Sequence, residues 1–221
     1  TKHINMLDFL FPKLHNEGYR FLAIAAVATF ILLLISSTLG LISFIITVWV
    51  YYFFRDPERY PINDENYLLS PADGVVSQII ETEGPKELGL NEKKYTKVSI
   101  FMNAFNCHVN RVPSSGSITE IFYKPGKYIN ASLDKASEEN ERNYVRLKNT
   151  NGDELILVQI AGLIARRIVC EVKENEAIKQ GDKFGIIRFG SRVDLYFENY
   201  QLLVRQNQKT IAGETLIAKK V

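Results

Sequence analysis

Three short segments of the chain carry residue types and spacings that could support chemistry. The first, residues 70–74, reads SPADG and places the carboxylate of Asp73 between residues that favour a turn. Pro71 fixes its own backbone φ, and Gly74 permits a turn that the Asp73 side chain could cap. On its own, this segment indicates a capped turn, and a chemical role for Asp73 requires further motifs.

The second segment, residues 106–113, reads NCHVNRVP and contains His108. The other two histidines, His3 and His15, lie in the N-terminal tail. His108 is therefore the one histidine of the downstream region that can titrate near neutral pH, although a structural role is the ordinary alternative. Arg111 follows three residues later and could bind a phosphate or carboxylate through two parallel hydrogen bonds.

The third segment, residues 186–197, reads IIRFGSRVDLYF and places Gly190 and Ser191 between two β-like runs. Such a pair is ordinarily a turn or a bulge. The chemical alternative is specific, because the Ser191 hydroxyl could attack the unshielded carbonyl of Gly190 and move the acyl group from nitrogen to oxygen. Elimination from the resulting ester would leave dehydroalanine, which hydrolyses to a pyruvoyl group and ammonia.

Further motifs connect these segments in a fixed order. They are FFRDPER at 53–59, SPADG at 70–74, HVNRVP at 108–113, DKASEENER at 134–142, QIAGLIARRIV at 159–169 and RFGSRVDLY at 188–196. Together they resemble the short-form phosphatidylserine decarboxylase proenzymes, a family related to the archaetidylserine decarboxylases. The resemblance extends over residues 50–221.

The resemblance implies pyruvoyl-dependent decarboxylation of phosphatidylserine to phosphatidylethanolamine. Autocatalytic cleavage between Gly190 and Ser191 would give a β chain of residues 1–190 and an α chain of residues 191–221. The first residue of the α chain would become the covalent pyruvoyl cofactor, which reacts with the serine amine of the head group. Because this group acts as the electron sink, neither a metal ion nor pyridoxal phosphate is implied.

The resemblance also implies roles for individual residues. Ser191 is the self-cleavage nucleophile and the source of the pyruvoyl group, and Asp73 is the acid of maturation. His108 is expected to be the general acid that protonates the product.

Arginines are the expected ligands of the lipid head group. Arg111, Arg166 and Arg167 are candidates to bind its phosphate or carboxylate. Longer family members carry two histidines in the segment around His108, and this sequence has Arg111 near the second place. Whether His108 acts in maturation, in decarboxylation or in both therefore stays open.

The elements that must position these residues are predicted to be mostly β-strands, as hairpins similar to the barrel-sandwich folds of biotinyl and lipoyl domains. Beyond residue 59, short alternating or β-branched runs are separated by Gly, Pro, Asn and Asp. The predicted strands are 74–82, 96–102, 116–123, 144–148, 154–161, 167–172, 184–189, 194–197 and 201–204. Residues 131–142 are expected to form a long loop with a short helical turn.

An apolar segment, residues 21–54, precedes this region and contains no charged residue. As one straight helix it would be about 50 Å long, well beyond a hydrocarbon core of about 30 Å. Ser36, Ser37, Thr38 and Gly40 favour a break, which predicts a hairpin of two helices over 21–36 and 40–54. A single tilted helix and a buried soluble hairpin are the alternatives.

Basic residues on both flanks of the apolar segment favour a cytoplasmic location for both ends. We therefore expect an N-terminal cytoplasmic segment (1–19), a membrane anchor (20–55) and a β-rich decarboxylase domain (56–221) that faces the cytoplasm at the inner cell membrane. Trp49, Tyr51 and Tyr52 are typical of the membrane interface. The expected partners are the lipid substrate, the bilayer, the two cleaved chains and a second copy in a homodimer.

Other functions remain open at this point. A sister enzyme acting on archaetidylserine or another serine lipid would share the same head group. A membrane-anchored lipoyl-like carrier or scaffold is the alternative of a different class, because Asp134-Lys135-Ala136 resembles the motif that carries lipoate. Cys107 and Cys170 lack CxxC spacing, which disfavours a disulfide framework or a zinc site. The net charge of +2 gives no reason to expect nucleic acid as a partner.

Overall fold

The computed structural model describes residues 11–127, 139–162, 167–188 and 191–221. The chain divides into two compact units, Thr1–Glu58 and Arg59–Val221. The described part of the first unit is mainly helical, and that of the second unit is mainly β.

The first unit is built on two apolar helices, α1 (Gly18–Ile35) and α2 (Ser37–Phe53). Ser36 separates them in an extended conformation, with φ −158° and ψ 131°. The predicted pair of helices is therefore confirmed, and the single long helix is not observed. The break between the helices is shorter than predicted, because the single residue Ser36 is enough to reverse the chain direction.

The two helices pack antiparallel against each other. The Thr29 hydroxyl lies 2.8 Å from the hydroxyls of both Ser43 and Thr47. Gly40, expected in the turn, instead lies within α2, where a Cβ atom would come within 2.2 Å of Leu33 Cδ2. The glycine thus permits close helix packing instead of forming the break.

The outward side chains of the helix pair are apolar. Leu34 is 74% exposed, Ile35 69% and Ile24 68%. By length and composition α1 could cross a bilayer, and α2 is slightly shorter. So many exposed apolar side chains are atypical of a soluble hairpin and typical of a surface that contacts lipid or a partner.

The second unit is a succession of short and medium strands that pair antiparallel. The strands are β1 (Tyr67–Leu69), β2 (Gly74–Glu83), β3 (Lys94–Met102), β4 (Val109–Arg111), β5 (Gly116–Lys124), β6 (Arg142–Asn149), β7 (Glu154–Ile160), β8 (Arg167–Cys170), β9 (Ala177–Ile178), β10 (Lys183–Arg188), β11 (Ser191–Phe197), β12 (Tyr200–Leu202), β13 (Lys209–Thr210) and β14 (Leu216–Lys220). A short 3-10 turn, Lys86–Leu88, follows β2.

These strands form three sheets. The largest has eight strands in the order β13-β2-β3-β11-β7-β6-β5-β9, which puts β11 near its centre. The other two have three strands each, in the orders β1-β14-β12 and β4-β10-β8.

Alternation along β3 and β11 defines an inner and an outer face of the large sheet. Ile100 and Met102 of β3 pair with Val193 and Ser191 of β11, and these side chains are buried on the inner face. The intervening residue Arg192 points to the outer face. The core of the unit therefore lies against the inner face.

The predicted fold class, a mostly β domain preceded by an apolar helix pair, is confirmed. Each of the nine predicted strand regions contains a strand. The prediction missed β1, β4, β9, β13 and β14, which are only two to five residues long. Such short strands carry too few residues for alternation to be visible. Most of the loop expected at 131–142 lies outside the described residues.

Candidate active site

The SPADG segment is held from two sides by backbone hydrogen bonds. The Ser70 N–H donates to the Thr215 carbonyl and the Gly213 N–H donates to the Ser70 carbonyl, both at 2.8 Å. On the other side, the Arg111 N–H donates to the Pro71 carbonyl at 3.0 Å. A segment near the end of the chain and strand β4 therefore fix the backbone that presents Asp73.

Both carboxylate oxygens of Asp73 are engaged. Arg59 Nη2 donates to Oδ1 at 3.0 Å and to Oδ2 at 2.7 Å, and the Ala212 N–H donates to Oδ1 at 2.8 Å. The Arg59 and Asp73 side chains are only 11% and 14% exposed. Burial alone would lower the pKa of Arg59, but the Asp73 carboxylate raises it above its ordinary value. The arrangement holds the Asp73 side chain in one orientation.

Ser191 is the first residue of β11 and pairs with Met102 of β3. Its side chain is fully buried, and its hydroxyl has no hydrogen-bond partner among the residues that the structure describes. Gly190, on the other side of the expected cleavage site, lies outside the described residues. The buried serine hydroxyl is thus available for an interaction that the described part of the chain does not supply.

The sheet register relates Asp73 to Ser191. Val75 pairs with Phe101, so Gly74 lies level with Met102, and Met102 in turn pairs with Ser191. Two strand spacings correspond to about 10 Å. Asp73 and Ser191 therefore share one end of the sheet, but the hydrogen bonds described for Asp73 go to Arg59 and Ala212 and not to the serine.

His108 is fully buried just before β4. Its Nδ1 lies 3.0 Å from the Asn106 carbonyl oxygen, and its own carbonyl accepts the Ile187 N–H at 3.3 Å. Because a carbonyl can only accept, Nδ1 carries the proton of the neutral ring, and Nε2 is the nitrogen that can exchange one. The contact with β10 places His108 beside the strand that leads towards Ser191.

The candidate arginines lie in different surroundings. Arg111 is half-buried, and its Nη1 donates to the Gly181 carbonyl at 2.9 Å. Arg167 is exposed at the start of β8 and lies opposite Arg188, near the end of β10. Arg166 lies outside the described residues, as does the lipoyl-like motif at 134–136.

Three residues with close contacts in this region were not assigned from the sequence. Arg59 binds Asp73, while Asn110 and Gln159 form part of a buried amide chain on the inner face. All three lie within the motifs FFRDPER, HVNRVP and QIAGLIARRIV. The motifs marked the right segments, but their spacing did not indicate which polar side chains would meet.

Comparison with known proteins shows which family the chain matches. The phosphatidylserine decarboxylase family matches residues 46–218. A phosphatidylserine decarboxylase proenzyme of Pelagibacter ubique is 65% identical over 215 residues, which cover 97% of this chain and 100% of that protein.

More distant relatives carry the same name. The proenzyme of Rickettsia typhi is 51% identical over 211 residues, covering 95% of this chain and 91% of that protein. The proenzyme of Cereibacter sphaeroides is 49% identical over 216 residues, covering 97% and 93%. On the extent of these matches, the chain belongs to the phosphatidylserine decarboxylase family.

Proposed function

We propose that this chain decarboxylates phosphatidylserine to phosphatidylethanolamine with a pyruvoyl group made from its own Ser191. Family membership supports the reaction, and the name proenzyme, given to the relatives, supports cleavage of a precursor. The observation that carries the proposal is the buried Ser191 hydroxyl without a partner in the described structure. A buried polar group left in this state costs about 1–3 kcal/mol, which a chemical role accounts for.

Maturation begins when Ser191 Oγ attacks the Gly190 carbonyl carbon. The peptide C–N bond breaks, and an ester forms. A base then removes the α proton of residue 191, the Cβ–Oγ bond breaks, and Oγ leaves within the new carboxylate of residue 190. Water converts the remaining dehydroalanine into the pyruvoyl group and ammonia, which leaves chains of residues 1–190 and 191–221. Asp73 supports this sequence as a fixed anion at the same end of the sheet.

A pyruvoyl group suits this position because it is uncharged, close in size to serine and leaves the rest of β11 in place. When present, it supplies a sink for the electron pair left by the departing carbon dioxide. His108 Nε2 holds the proton that the product receives. Arg111, Arg166 and Arg167 are the cations proposed for the phosphate or carboxylate of the head group.

The helix pair is the proposed membrane anchor. Its exposed apolar surface, Lys13 before α1 and Arg20 in the first turn of α1 support insertion into the inner membrane from the cytoplasmic side. The anchored enzyme would then encounter its substrate, a lipid with two acyl chains, within the membrane. The second copy of the chain expected in a homodimer stays a prediction.

Intact-mass spectrometry of the purified chain tests the proposal. The wild type should give two fragments split before residue 191, the smaller with the mass of a pyruvoyl group at its start, whereas Ser191→Ala should remain whole. Ser99→Ala is the matched control, because Ser99 is also a buried strand serine whose hydroxyl has no partner in the described structure. A folded wild-type chain that stays uncut would refute self-maturation.

A further inference from the structure

The inner face of the large sheet carries a chain of buried amides that the proposed reaction does not yet use. Asn143 Nδ2 donates to Gln159 Oε1 at 3.0 Å, and Gln159 Nε2 donates to Asn110 Oδ1 at 2.9 Å. Asn110 Nδ2 then reaches the sulfur of Met102 at 3.7 Å. All three amides are at most 2% exposed, in a core that is otherwise mainly aliphatic.

The two neighbours of the Asn110 amide define its position. Met102 belongs to β3 and Gln159 belongs to β7, and β11 lies between these two strands. Their partners in β11 are Ser191 for Met102 and Val193 for Gln159. A group that contacts side chains on both sides of β11 must lie over the strand between them. The Asn110 amide therefore lies over the inner face of β11, at Ser191 and Val193.

The direction of the hydrogen bonds fixes which end of the amide faces this strand. Gln159 donates a hydrogen bond to the Asn110 side-chain oxygen, so the Asn110 NH₂ group points away from Gln159 and towards Met102. A thioether is a weak acceptor, and it is the one acceptor described for this NH₂ group. The Ser191 hydroxyl nearby also lacks a partner in the described chain. The Asn110 NH₂ group, with only a weak acceptor, and the Ser191 hydroxyl therefore lie in the same buried region of the inner face.

We propose that Asn110 is the hydrogen-bond donor to Ser191 Oγ during self-cleavage, and that Gln159 and Asn143 are the residues that position it. This inference rests on the proposed function. Negative charge develops on Oγ as it gives up its proton to a base and attacks the Gly190 carbonyl. It develops there again when the Cβ–Oγ bond breaks and Oγ leaves within a carboxylate. A preorganised amide donor stabilises both transition states and itself neither gains nor loses a proton.

The test measures the half-time of self-cleavage. The full-length chain is produced by cell-free translation in the presence of phospholipid vesicles. Asn110→Leu removes the donor and keeps a side chain of similar size. It should lengthen the cleavage half-time about 100-fold, the scale on which loss of one such donor acts. Gln159→Met removes the hydrogen bond that positions the Asn110 amide. It should lengthen the cleavage half-time about tenfold, a smaller part of the same effect.

Asn149→Leu is the matched control. Asn149 is also a buried amide, and it bonds the Asp153 N–H and the Tyr200 hydroxyl away from Ser191. Its loss should lower the melting temperature without changing the cleavage half-time of the folded chain. The double variant of Asn110→Leu with Gln159→Met separates positioning from general stability. If Gln159 acts only through Asn110, the double variant cleaves no more slowly than Asn110→Leu alone.

Cleavage of Asn110→Leu at the wild-type rate would overturn the inference. The same holds if that variant cleaves normally but decarboxylates slowly, because the donor would then serve the lipid head group. If Asn110→Leu fails to fold, Gln159→Met decides, and a wild-type rate there overturns the inference as well. A wild-type chain that never cleaves, or a Ser191→Ala chain that still does, refutes the self-cleavage itself and not only the part played by Asn110.

Discussion

At the scale of single residues, Asp73 is held more firmly than a simple proton acceptor requires. Arg59 and the Ala212 N–H together donate three hydrogen bonds to its two oxygens. We therefore propose that Asp73 contributes to maturation as an oriented carboxylate. The strength of this orientation depends on Arg59, which supplies the charged donor.

Arg59→Gln should impair both stability and maturation. Loss of a charged hydrogen bond to a mostly buried carboxylate is expected to lower the free energy of unfolding by about 2 kcal/mol. Urea unfolding in a Ser191→Ala background, which keeps the chain in one piece, measures this effect. Arg59→Lys retains the charge and should lose less than Arg59→Gln in both stability and cleavage rate. Equal losses in the two variants would show that the charge at this position is unimportant.

His108→Ala should separate the two chemical stages. Because Nδ1 is engaged with the Asn106 carbonyl, Nε2 is the ring nitrogen that we propose for protonation of the product. The variant is expected to cleave itself while its turnover of phosphatidylserine falls at least about 100-fold, the usual contribution of a general acid. The measurement pairs a gel of the two chains with release of carbon dioxide from labelled lipid. Loss of cleavage as well would assign His108 to both stages.

The sequence indicated Asp73, His108 and Ser191, because their types and motifs are distinctive. It did not indicate their partners. Arg59 lies 14 positions from Asp73, and the Ala212 N–H lies 139 positions away. A backbone donor carries no side-chain signal at all, and contacts at such separation depend on the register of strands that short motifs do not encode.

At the scale of elements, the start of β2 tolerates no side chain. A Cβ atom on Gly74 would lie 2.2 Å from the Phe101 carbonyl oxygen of β3. This close approach brings the SPADG segment against the strand that pairs with β11. Gly74 therefore serves sheet packing as well as the turn that the sequence suggested.

Gly74→Ala should displace the start of β2 and slow maturation even though no reacting group is changed. The expected loss of stability is about 1–3 kcal/mol, as for other overpacked sites. Gly89→Asn is a suitable control, since Gly89 has open space around it and a left-handed φ of 67° that asparagine accepts. Thermal unfolding and the cleavage half-time should both change for Gly74→Ala only. Unchanged cleavage would show that this strand junction does not govern the site.

The longer strands were predictable because apolar or β-branched residues dominate runs of six or more residues, as in β3 and β7. The two-residue strands β9 and β13 were not, since their pairing is decided by neighbouring strands instead of by their own composition. The same reasoning applies to the helix break. Ser36 ends α1 locally, but the role of Gly40 depends on the opposing Leu33.

At the scale of the whole molecule, the proposed membrane anchor can be probed without a label, because Trp49 is the single tryptophan of the chain. It lies four residues before the end of α2, about 6 Å along the helix axis. Its fluorescence should be quenched most by lipids brominated near the head-group end of their acyl chains. Trp49→Phe combined with Val27→Trp moves the probe to the middle of α1 and should favour deeper bromines. No quenching by either lipid would contradict insertion.

An ion pair connects the C-terminal strand β14 to the rest of the β unit. Lys220 Nζ lies 2.8 Å from Asp153 Oδ2, and burial, which would raise the pKa of Asp153, is outweighed by hydrogen bonds from Lys220, Tyr200 and Asn149 that lower it. Because the folded pKa is below the ordinary value of about 4, this contribution is present at neutral pH. It is lost as the pH falls from about 4 towards the lower folded pKa.

Asp153→Asn should therefore reduce stability at pH 7 and flatten its decline below about pH 4. Denaturant unfolding at a series of pH values, again in a Ser191→Ala background, measures both effects. Glu92→Gln, an exposed acid, serves as the control. A decline as steep as that of the parent chain would show that Asp153 does not contribute to it.

Some of the contacts that hold the SPADG segment come from residues near the end of the chain, which sets an earliest time for the proposed self-cleavage. The Ala212 N–H donates to Asp73, and the Thr215 carbonyl accepts a hydrogen bond from the Ser70 N–H. A ribosome makes these two residues after both sides of the cleavage site have already been synthesised. A chain released before residue 215 would contain the serine and the scissile bond, yet lack the groups that complete their surroundings. If the proposed self-cleavage depends on these contacts, it can begin only after residue 215 has been made, and prematurely terminated chains are expected to stay uncut.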